Sequence, residues 1–287
     1  MNILVTGANG QLGSEIKALE GFYKAHRFVF TDVNELDISN KTAIVHFISE
    51  NNINAIVNCA AYTAVDKAET EQEQAYKINC DAVVNLAQAA KERNLILIHV
   101  STDYVFDGMK NVPYNEADAT NPIGVYGKSK LAGESKMLEI NPRGLIIRTS
   151  WLYSSFGNNF VKTMLRLGKE RTELGVVCDQ VGTPTYAADL AKAILDILPK
   201  VESNRTDILH YSNEGVCSWY DFAHWVFKIS DCKVKLNAIA TSEFPTPTKR
   251  PEYSVLSKRK IKSDYGIEIP HWSDSLEKCL AILRQNA

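Results

Sequence analysis

A glycine-rich turn directly after the first apolar segment constrains the fold of this chain more than any other feature. Residues 2–6 form an apolar run typical of a buried β-strand, and a helical pattern begins at Gln11. Glycines between a strand and a helix permit a tight turn, a close approach of the backbone to a pyrophosphate, and free N–H groups at the helix N-terminus. We therefore predict a dinucleotide site in the segment 7–13, at Gly7, Gly10, Gln11, Leu12 and Gly13.

Strand-like and helix-like segments alternate through the first two thirds of the chain, which predicts an α/β fold with a Rossmann-type, doubly wound parallel sheet. The predicted strands are 2–6, 27–31, 55–58, 95–100 and 145–148. The predicted helices are 11–19, 41–50, 72–93 and 125–139, the second with Ser39 as its N-cap. Because such sheets bind ligands beyond the carboxyl ends of their strands, we expect the site in the loops that follow the strands.

The pattern becomes less regular after Trp151, and prolines interrupt the C-terminal part. Here the predicted helices are 159–171, 186–198, 218–229 and 273–284, and the predicted strands are 174–178, 208–211 and 233–240. These features indicate a smaller, loop-rich substrate-binding lobe. The predicted division is an NAD(P)-binding Rossmann domain at 1–150, with a later contribution from about 186–212, and a discontinuous substrate-binding lobe at 151–287.

The composition excludes several classes of protein. With 45% hydrophobic residues in a chain of 287, a packed core is expected, and the formal net charge of −2 would attract neither nucleic acid nor an anionic membrane. No apolar stretch approaches the roughly 20 residues that span a bilayer, and the N-terminus lacks signal-peptide organisation, so we expect a cytoplasmic protein. The six cysteines include no Cys-x-x-Cys pair and are expected to be reduced thiols.

Acidic residues after the predicted second strand suggest how the adenosine end of a dinucleotide is held. Asp32 lies about 20 residues beyond the glycine turn, where a carboxylate can accept from the ribose hydroxyls of NAD and would repel a 2′-phosphate. No arginine follows it, so the sequence favours NADH, while NADPH stays open if Asp32 turns outward. Asp37 is predicted to meet the adenine amino group and Ile38 to pack on the ring; the alternative for Asp37 is a role in the turn.

Tyr126 and Lys130 are four residues apart in a predicted helix and therefore share one face of it. An ammonium close to a phenol favours the phenolate, so we expect Lys130 to lower the pKa of Tyr126 from about 10 toward the working pH. Such a tyrosine can donate a proton to a carbonyl oxygen as a hydride arrives at the carbon. A hydroxyl residue, Thr102, follows the fourth predicted strand.

With the glycine turn, these three residues make the chain resemble the extended short-chain dehydrogenase/reductase family, whose triad is Ser/Thr, Tyr and Lys. The resemblance implies that Tyr126 is the general acid. It further implies that Lys130 tunes Tyr126 and holds the nicotinamide ribose, and that Thr102 hydrogen-bonds the reacting oxygen.

Longer blocks resemble one branch of that family, the dTDP-4-dehydrorhamnose reductases. The blocks are 7–13, 58–69, 101–108, 126–130 and 148–151. The resemblance implies that NADPH or NADH reduces dTDP-4-dehydro-L-rhamnose to dTDP-L-rhamnose for polysaccharide biosynthesis, and that Ala61, Tyr62 and Thr63 line the cofactor. The substrate-facing residues that it implies are Thr102, Asp103, Tyr104, Tyr126, Trp151, Asn159 and Arg250, the last as a partner of the diphosphate.

Other functions on the same scaffold stay open at this point. A nucleotide-sugar 4,6-dehydratase would need further acid–base groups, which dehydratases supply as an Asp-Glu pair after the threonine; Asp103-Tyr104 stands here instead and favours simple reduction. A 4-epimerase, a reductase of another nucleotide-linked 4-keto-sugar and a non-catalytic regulatory subunit remain alternatives. The nucleotide, dTDP or UDP, and the configuration produced at C4 also stay open.

A metal site is not expected. Some members of the branch hold a divalent ion such as Mg²⁺ at a dimer contact through glutamates. Glu15 fits one such position, but Ala188 stands where a second glutamate would be expected. We therefore predict no metal, and a homodimer stays open.

Overall fold

A six-stranded parallel sheet forms the centre of the computed structural model, which describes residues 1–285. In these residues the strands are β1 (Asn2–Thr6), β2 (Arg27–Thr31), β3 (Ala55–Asn58), β4 (Ile96–Thr102), β5 (Gly144–Thr149), β6 (Leu152–Tyr153), β7 (Glu173–Val177), β8 (Val181–Gly182), β9 (Thr185–Tyr186), β10 (Thr206–His210), β11 (Cys217–Ser218) and β12 (Lys235–Ile239). The central sheet has the order β10-β5-β4-β3-β1-β2, with all neighbours parallel. The predicted doubly wound parallel sheet is therefore confirmed.

Helices cover both faces of this sheet. In the described residues the α-helices are α1 (Gln11–Leu19), α2 (Lys41–Glu50), α3 (Val65–Ala68), α4 (Gln72–Tyr76), α5 (Ala82–Glu92), α6 (Val125–Ile140), α7 (Phe160–Glu170), α8 (Ala187–Ile197), α9 (Trp219–Ile229), α10 (Arg259–Tyr265) and α11 (Trp272–Gln285). Apolar residues of α1 and α8 pack on one face, and those of α2, α5 and α6 pack on the other. Every residue of β3 and β5 is consequently buried, as expected for parallel strands between two helical layers.

The direction in which the sheet grows reverses at β1. Strand β2 lies on one side of β1, whereas β3, β4 and β5 follow on the other. Loops diverge at such a point and leave a crevice beyond the carboxyl ends of the strands. The residues that follow β1, β3, β4 and β5 therefore face one opening.

The remaining elements form a smaller region with a core of its own. Strand β6 pairs with β9, β7 with β12, and β8 with β11. Helices α7, α9 and α11 pack around an aromatic cluster that contains Tyr153, Phe222 and Trp272. Within residues 1–285 no helix has the length and apolar character needed to cross a membrane. Residues 286–287, with which the predicted substrate lobe ends, lie outside the described residues.

Two local predictions are wrong in detail. The N-cap of α2 is Asn40 rather than Ser39, because the Asn40 side chain accepts from the Ala43 N–H at 3.1 Å. Ser39 belongs to the preceding turn, where its N–H donates to Asp37. The helix predicted at 72–93 is interrupted by a π-helical turn, Lys77–Asp81, between α4 and α5. Such turns re-aim side chains within a helix and are frequent at functional sites.

Candidate active site

A cavity of about 920 Å³ opens beyond the carboxyl ends of the central strands and extends toward the smaller region. Most residues singled out in the sequence line it: Gly7, Gly10, Gln11, Leu12, Asp32, Asp37, Ile38, Ala61, Thr63, Thr102, Asp103, Tyr104, Tyr126, Lys130, Trp151 and Asn159. Gly13, Tyr62 and Arg250 are not among its lining residues. At about 920 Å³ the cavity lies near the upper end of the range for single ligand sites, about 300–1,000 Å³, so a ligand as large as a dinucleotide can occupy it.

The glycine turn is shaped by backbone contacts that exclude side chains. Gly7 has φ +64°, and a Cβ there would lie 2.6 Å from the Ala60 backbone nitrogen. At Gly13 a Cβ would lie 2.5 Å from the Ala8 Cα, which explains why this glycine packs the helix and does not line the cavity. No side chain caps the N-terminus of α1, so its first N–H groups are left for a ligand.

At the predicted adenosine end of the cavity, backbone N–H groups hold two aspartates in place. Asp32 accepts from the Asn9 N–H at 3.1 Å and from the Val33 N–H at 2.8 Å. The Ser39 hydroxyl and the Ser39 N–H, the latter 2.9 Å from the carboxylate, lower the pKa of Asp37 and give it the turn role that the sequence left as an alternative. Its position on the cavity wall leaves the ligand role open as well.

Asn79, which the sequence analysis missed, fixes the loop that carries Ala61 and Thr63. Its side chain accepts from the Tyr62 N–H at 2.9 Å, and it donates to the Tyr62 carbonyl and to the Ser129 hydroxyl. The Tyr62 side chain points elsewhere, since its hydroxyl donates to Glu71. A signal was available, because an asparagine buried within an apolar helical pattern must find partners.

Tyr126 and Thr102 meet at the floor of the cavity. Thr102 donates to the Asp103 carboxylate at 3.0 Å, and the ring of Tyr126 lies edge-on to Tyr104 with centroids 5.4 Å apart. Burial raises the pKa of Tyr126 to about 12; the Thr102 hydroxyl acts to lower it and the charge of Asp103 to raise it. The expectation that Lys130 depresses this pKa toward the working pH is therefore wrong for the protein without ligands, because burial and the charge of Asp103 outweigh the hydrogen bond from Thr102 and Lys130 contributes nothing to the shift.

Lys130 is directed at the sheet. Its Nζ donates to the Val100 carbonyl at 2.7 Å and lies 3.3 Å from His99 Nε2. Burial lowers the pKa of Lys130 to about 8, while Glu134 on the next turn acts in the opposite direction. The amine is therefore mostly protonated at neutral pH and loses its proton in mildly alkaline solution.

Two buried polar atoms at the end of β4 have no hydrogen-bond partner: Ser101 Oγ and one carboxylate oxygen of Asp103, Oδ2. Burial raises the pKa of Asp103 to about 6. The Ser254 hydroxyl acts on the Asp103 carboxylate and lowers its pKa, whereas Ser101 Oγ is left without a partner on the cavity wall, where a polar ligand could meet it. The glycine cradle at one end of the cavity and the Ser101 hydroxyl at the other fit a dinucleotide next to a hydroxylated substrate.

The far wall comes from the smaller region. Trp151 has φ +48°, its ring stacks on Trp219 with centroids 3.6 Å apart, and a Cβ at Gly182 would lie 2.6 Å from that ring. Asn159 donates from Nδ2 to Gln11 of the glycine turn at 3.0 Å. The sequence analysis missed Trp219, because no local sequence pattern shows that it contacts Trp151, 68 residues earlier.

Arg250 lies outside the cavity lining and pairs with Asp66 at 3.3 Å. Both side chains are about one third exposed. The neighbouring Thr248 donates to the Val65 carbonyl, so this segment of the smaller region rests on α3. The charge of Arg250 acts to lower the pKa of Tyr104, which lines the cavity. Among residues 1–285 no cluster of three metal-binding side chains occurs. Glu15, which the sequence analysis compared with a metal-binding glutamate, accepts from the Ser154 hydroxyl at 2.6 Å.

The chain is similar over its length to proteins of one family. A family profile described as "RmlD substrate binding domain" matches residues 1–285. The dTDP-4-dehydrorhamnose reductase of Aggregatibacter actinomycetemcomitans is 43% identical over 288 residues, which cover 97% of this chain and 98% of that protein. The crystal structure of a Clostridium acetobutylicum dTDP-4-dehydrorhamnose reductase is 46% identical, with TM-score 0.94 and coverage of 99% and 100%. The Bacillus anthracis dTDP-4-dehydrorhamnose reductase, solved in complex with NADP, is 39% identical, with TM-score 0.93 and coverage of 98% and 99%.

Proposed function

This chain belongs to the dTDP-4-dehydrorhamnose reductase family, and from that membership we propose how its cavity carries out the reaction. The activity is the NAD(P)H-dependent reduction of dTDP-4-dehydrorhamnose in dTDP-rhamnose biosynthesis. The residue roles are our proposal. The observation that carries them is the buried phenol of Tyr126, which shares one cavity with the glycine turn and with Trp151.

The backbone of the glycine turn and the N–H groups at the start of α1 would hold the pyrophosphate of the dinucleotide. Ala61 and Thr63, which line the cavity, would flank the cofactor, and Lys130 would hold the nicotinamide ribose. When bound, NAD(P)H supplies the hydride that forms the new C–H bond at the ketone carbon. The protein supplies the proton.

Tyr126 delivers that proton. Its pKa of about 12 keeps the phenol protonated at neutral pH, so the O–H is available when negative charge develops on the ketone oxygen. The O–H bond of Tyr126 breaks, the new O–H bond forms on the sugar, and the ammonium of Lys130 stabilises the phenolate left behind. Thr102 donates a hydrogen bond to the same oxygen, for which it releases Asp103.

The neighbours of Tyr126 support reduction over dehydration. Tyr104 stands where a dehydratase would carry a glutamate, and its pKa is raised above its ordinary value, mainly by burial. Such a phenol is a poor base for removing a C5 proton. Trp151, held on Trp219, offers an apolar wall for the sugar ring.

Tyr126→Phe tests the proposed proton donor. We expect kcat to fall by a factor of about 10² to 10⁴, because general acid catalysis contributes that much, while NAD(P)H binding is retained. The readouts are loss of NAD(P)H absorbance with the 4-keto sugar nucleotide and fluorescence titration of the cofactor. Tyr114→Phe, which removes a buried phenol that is bonded to Asp107 and does not line the cavity, is the matched control. Turnover of Tyr126→Phe close to that of the control would remove Tyr126 from this role.

The domain division, the oligomeric state and the cellular location are further parts of the same proposal. The domain division at residue 150 is supported by β10 and α8, which return to the central sheet and its helices. A homodimer rests on the family resemblance alone, and light scattering would measure it. A cytoplasmic location is supported by the six cysteines, all of which are free, as expected in a reducing compartment.

A further inference from the structure

A line of buried polar side chains joins Lys130 to three strands of the sheet, and the mechanism above does not use it. Thr6, Asn58 and His99 are each at most 1% exposed. Thr6 donates to Asn58 Oδ1 at 2.7 Å, Asn58 Nδ2 lies 2.9 Å from His99 Nδ1, and His99 Nε2 lies 3.3 Å from Lys130 Nζ. Unpaired polar groups are costly at such depth, so each contact should join a donor to an acceptor.

A backbone group fixes the orientation of the Asn58 amide. The Ala60 N–H can only donate, and the Asn58 atom 3.2 Å away must therefore be the oxygen, which also accepts from Thr6. The amide nitrogen then faces His99 and has only hydrogens to offer. His99 Nδ1 must be the acceptor, so the neutral ring carries its proton on Nε2. Burial and the charge of Lys130 hold the pKa of His99 well below its usual range, which keeps the ring neutral.

The Nε2–H of His99 is therefore directed at Lys130 Nζ. A neutral amine accepts this hydrogen with its lone pair while it donates to the Val100 carbonyl. An ammonium has no lone pair and would turn one of its own hydrogens toward the Nε2–H. The other charged group acting on the amine is Glu134, which favours the ammonium but is shared with Arg148 in a buried ion pair.

We propose that His99 is a positioning residue of the reductase site, locked by Asn58 in the Nε2–H tautomer, and that it favours the neutral amine of Lys130 and so moves the alkaline limit of activity to lower pH. This rests on the proposed role of Lys130. Reduction needs the ammonium, because only the charged form stabilises the phenolate of Tyr126. Activity therefore falls as rising pH removes the proton from Lys130, and the burial that lowers the pKa of Lys130 acts in the same direction as His99.

Nitrogen NMR of the protein with ¹⁵N-labelled histidine tests the tautomer without any substrate. For His99, identified by the signals lost in His99→Phe, we expect a protonated Nε2 and an unprotonated Nδ1 that stay unchanged through the neutral pH range. A protonated Nδ1 would overturn the proposal. This result is independent of turnover, so it is separate from any failure of the proposed function.

Asn58→Asp should change the tautomer of His99 while leaving the shape of the residue at position 58 almost unchanged. One carboxylate oxygen still accepts from Thr6 and Ala60, and the other now accepts from His99, which moves the ring proton to Nδ1. The Nε2 lone pair then accepts from the ammonium of Lys130. We expect the alkaline limb of kcat/KM for reduction to move up by about one pH unit.

The added carboxylate also acts on Lys130 directly, and His99→Phe separates the two effects. If Asn58→Asp works through the ring, its shift of the alkaline limb should shrink markedly in the His99→Phe background. An equal shift in both backgrounds would assign the effect to the field of the carboxylate and overturn the proposal. His210→Phe, a buried histidine bonded to the Tyr114 carbonyl away from Lys130, controls for loss of a buried ring and should leave the limb in place.

Discussion

The two walls of the cavity are built in different ways. On the cofactor wall, the glycine turn presents its backbone, and the close approach of Gly7 to the Ala60 backbone sets the geometry. On the substrate wall, side chains from separate segments meet, and the ring of Trp151 is held by that of Trp219, 68 residues later in the chain. The first wall depends on the shape of the backbone and the second on contacts between side chains. Substitutions should therefore fail differently on the two sides.

The largest effect is expected for Gly7→Ala. A positive φ costs a residue with a side chain about 1–2 kcal/mol, and the methyl group would press on the Ala60 backbone, where overpacking costs about 1–3 kcal/mol more. We expect the free energy of unfolding to fall by about 2–5 kcal/mol and the cofactor to bind far more weakly. Urea denaturation and NAD(P)H fluorescence titration measure the two quantities.

Gly21→Ala is the matched control for this substitution. A Cβ at Gly21 would meet nothing within 4 Å, so we expect a change in stability within about 1 kcal/mol and unaltered cofactor binding. If Gly7→Ala behaved like Gly21→Ala, backbone shape would not distinguish the cofactor wall.

The second effect concerns Asp103, which belongs to the substrate wall. Its pKa rises from 3.8 to about 6 on folding, so the folded protein binds the proton more tightly than the unfolded chain does. The protonated carboxyl group contributes its full stability below about pH 4, and this contribution is lost as the pH rises through about 6. The loss is about 3 kcal/mol for this buried group. Asp103→Asn should therefore stabilise the protein at neutral pH by up to about 3 kcal/mol, with no such gain near pH 4, while lowering kcat/KM.

Urea denaturation at the two pH values checks this prediction, and Asp107 provides the contrast. The Met109 N–H donates to Asp107 and lowers its pKa, so Asp107→Asn should lose stability at neutral pH. A gain from Asp103→Asn that is the same at both pH values would show that the ionised carboxylate is not the cause.

The contrast between the walls also explains what the sequence could predict. The parallel sheet, the glycine turn and the Tyr126–Lys130 spacing follow from patterns within short windows, and the structure brings all of them to one cavity. The π-helical turn at Asn79 and the support of Trp151 depend on contacts across the fold. The direction of the Tyr126 pKa was missed for the same reason, since desolvation is set by everything packed around the phenol.

A smaller effect is expected for Arg250→Ala. If Arg250 binds the diphosphate, loss of a charge-assisted hydrogen bond should raise KM for the sugar nucleotide about tenfold and leave cofactor affinity unchanged. Stability should change by less than about 1 kcal/mol, because the pair with Asp66 is one third exposed. Lys249→Ala removes the adjacent exposed charge and controls for a general field. Equal KM values for the two variants would exclude Arg250 from the substrate wall.

The smallest effect concerns the choice between NADH and NADPH. At the adenosine ribose, on the cofactor wall, we expect a side chain rather than the backbone to determine this choice. The Asp32 carboxylate, fixed by the Asn9 and Val33 N–H groups, should favour NADH by repelling a 2′-phosphate. Asp32→Asn keeps an acceptor but removes the charge, so the ratio of kcat/KM for NADPH to that for NADH should rise several-fold, up to about tenfold. Glu35, an exposed carboxylate that accepts from the Asp32 N–H, provides the control. If Glu35→Gln shifted the ratio as much as Asp32→Asn, the preference would come from the acidic patch as a whole and not from one positioned side chain.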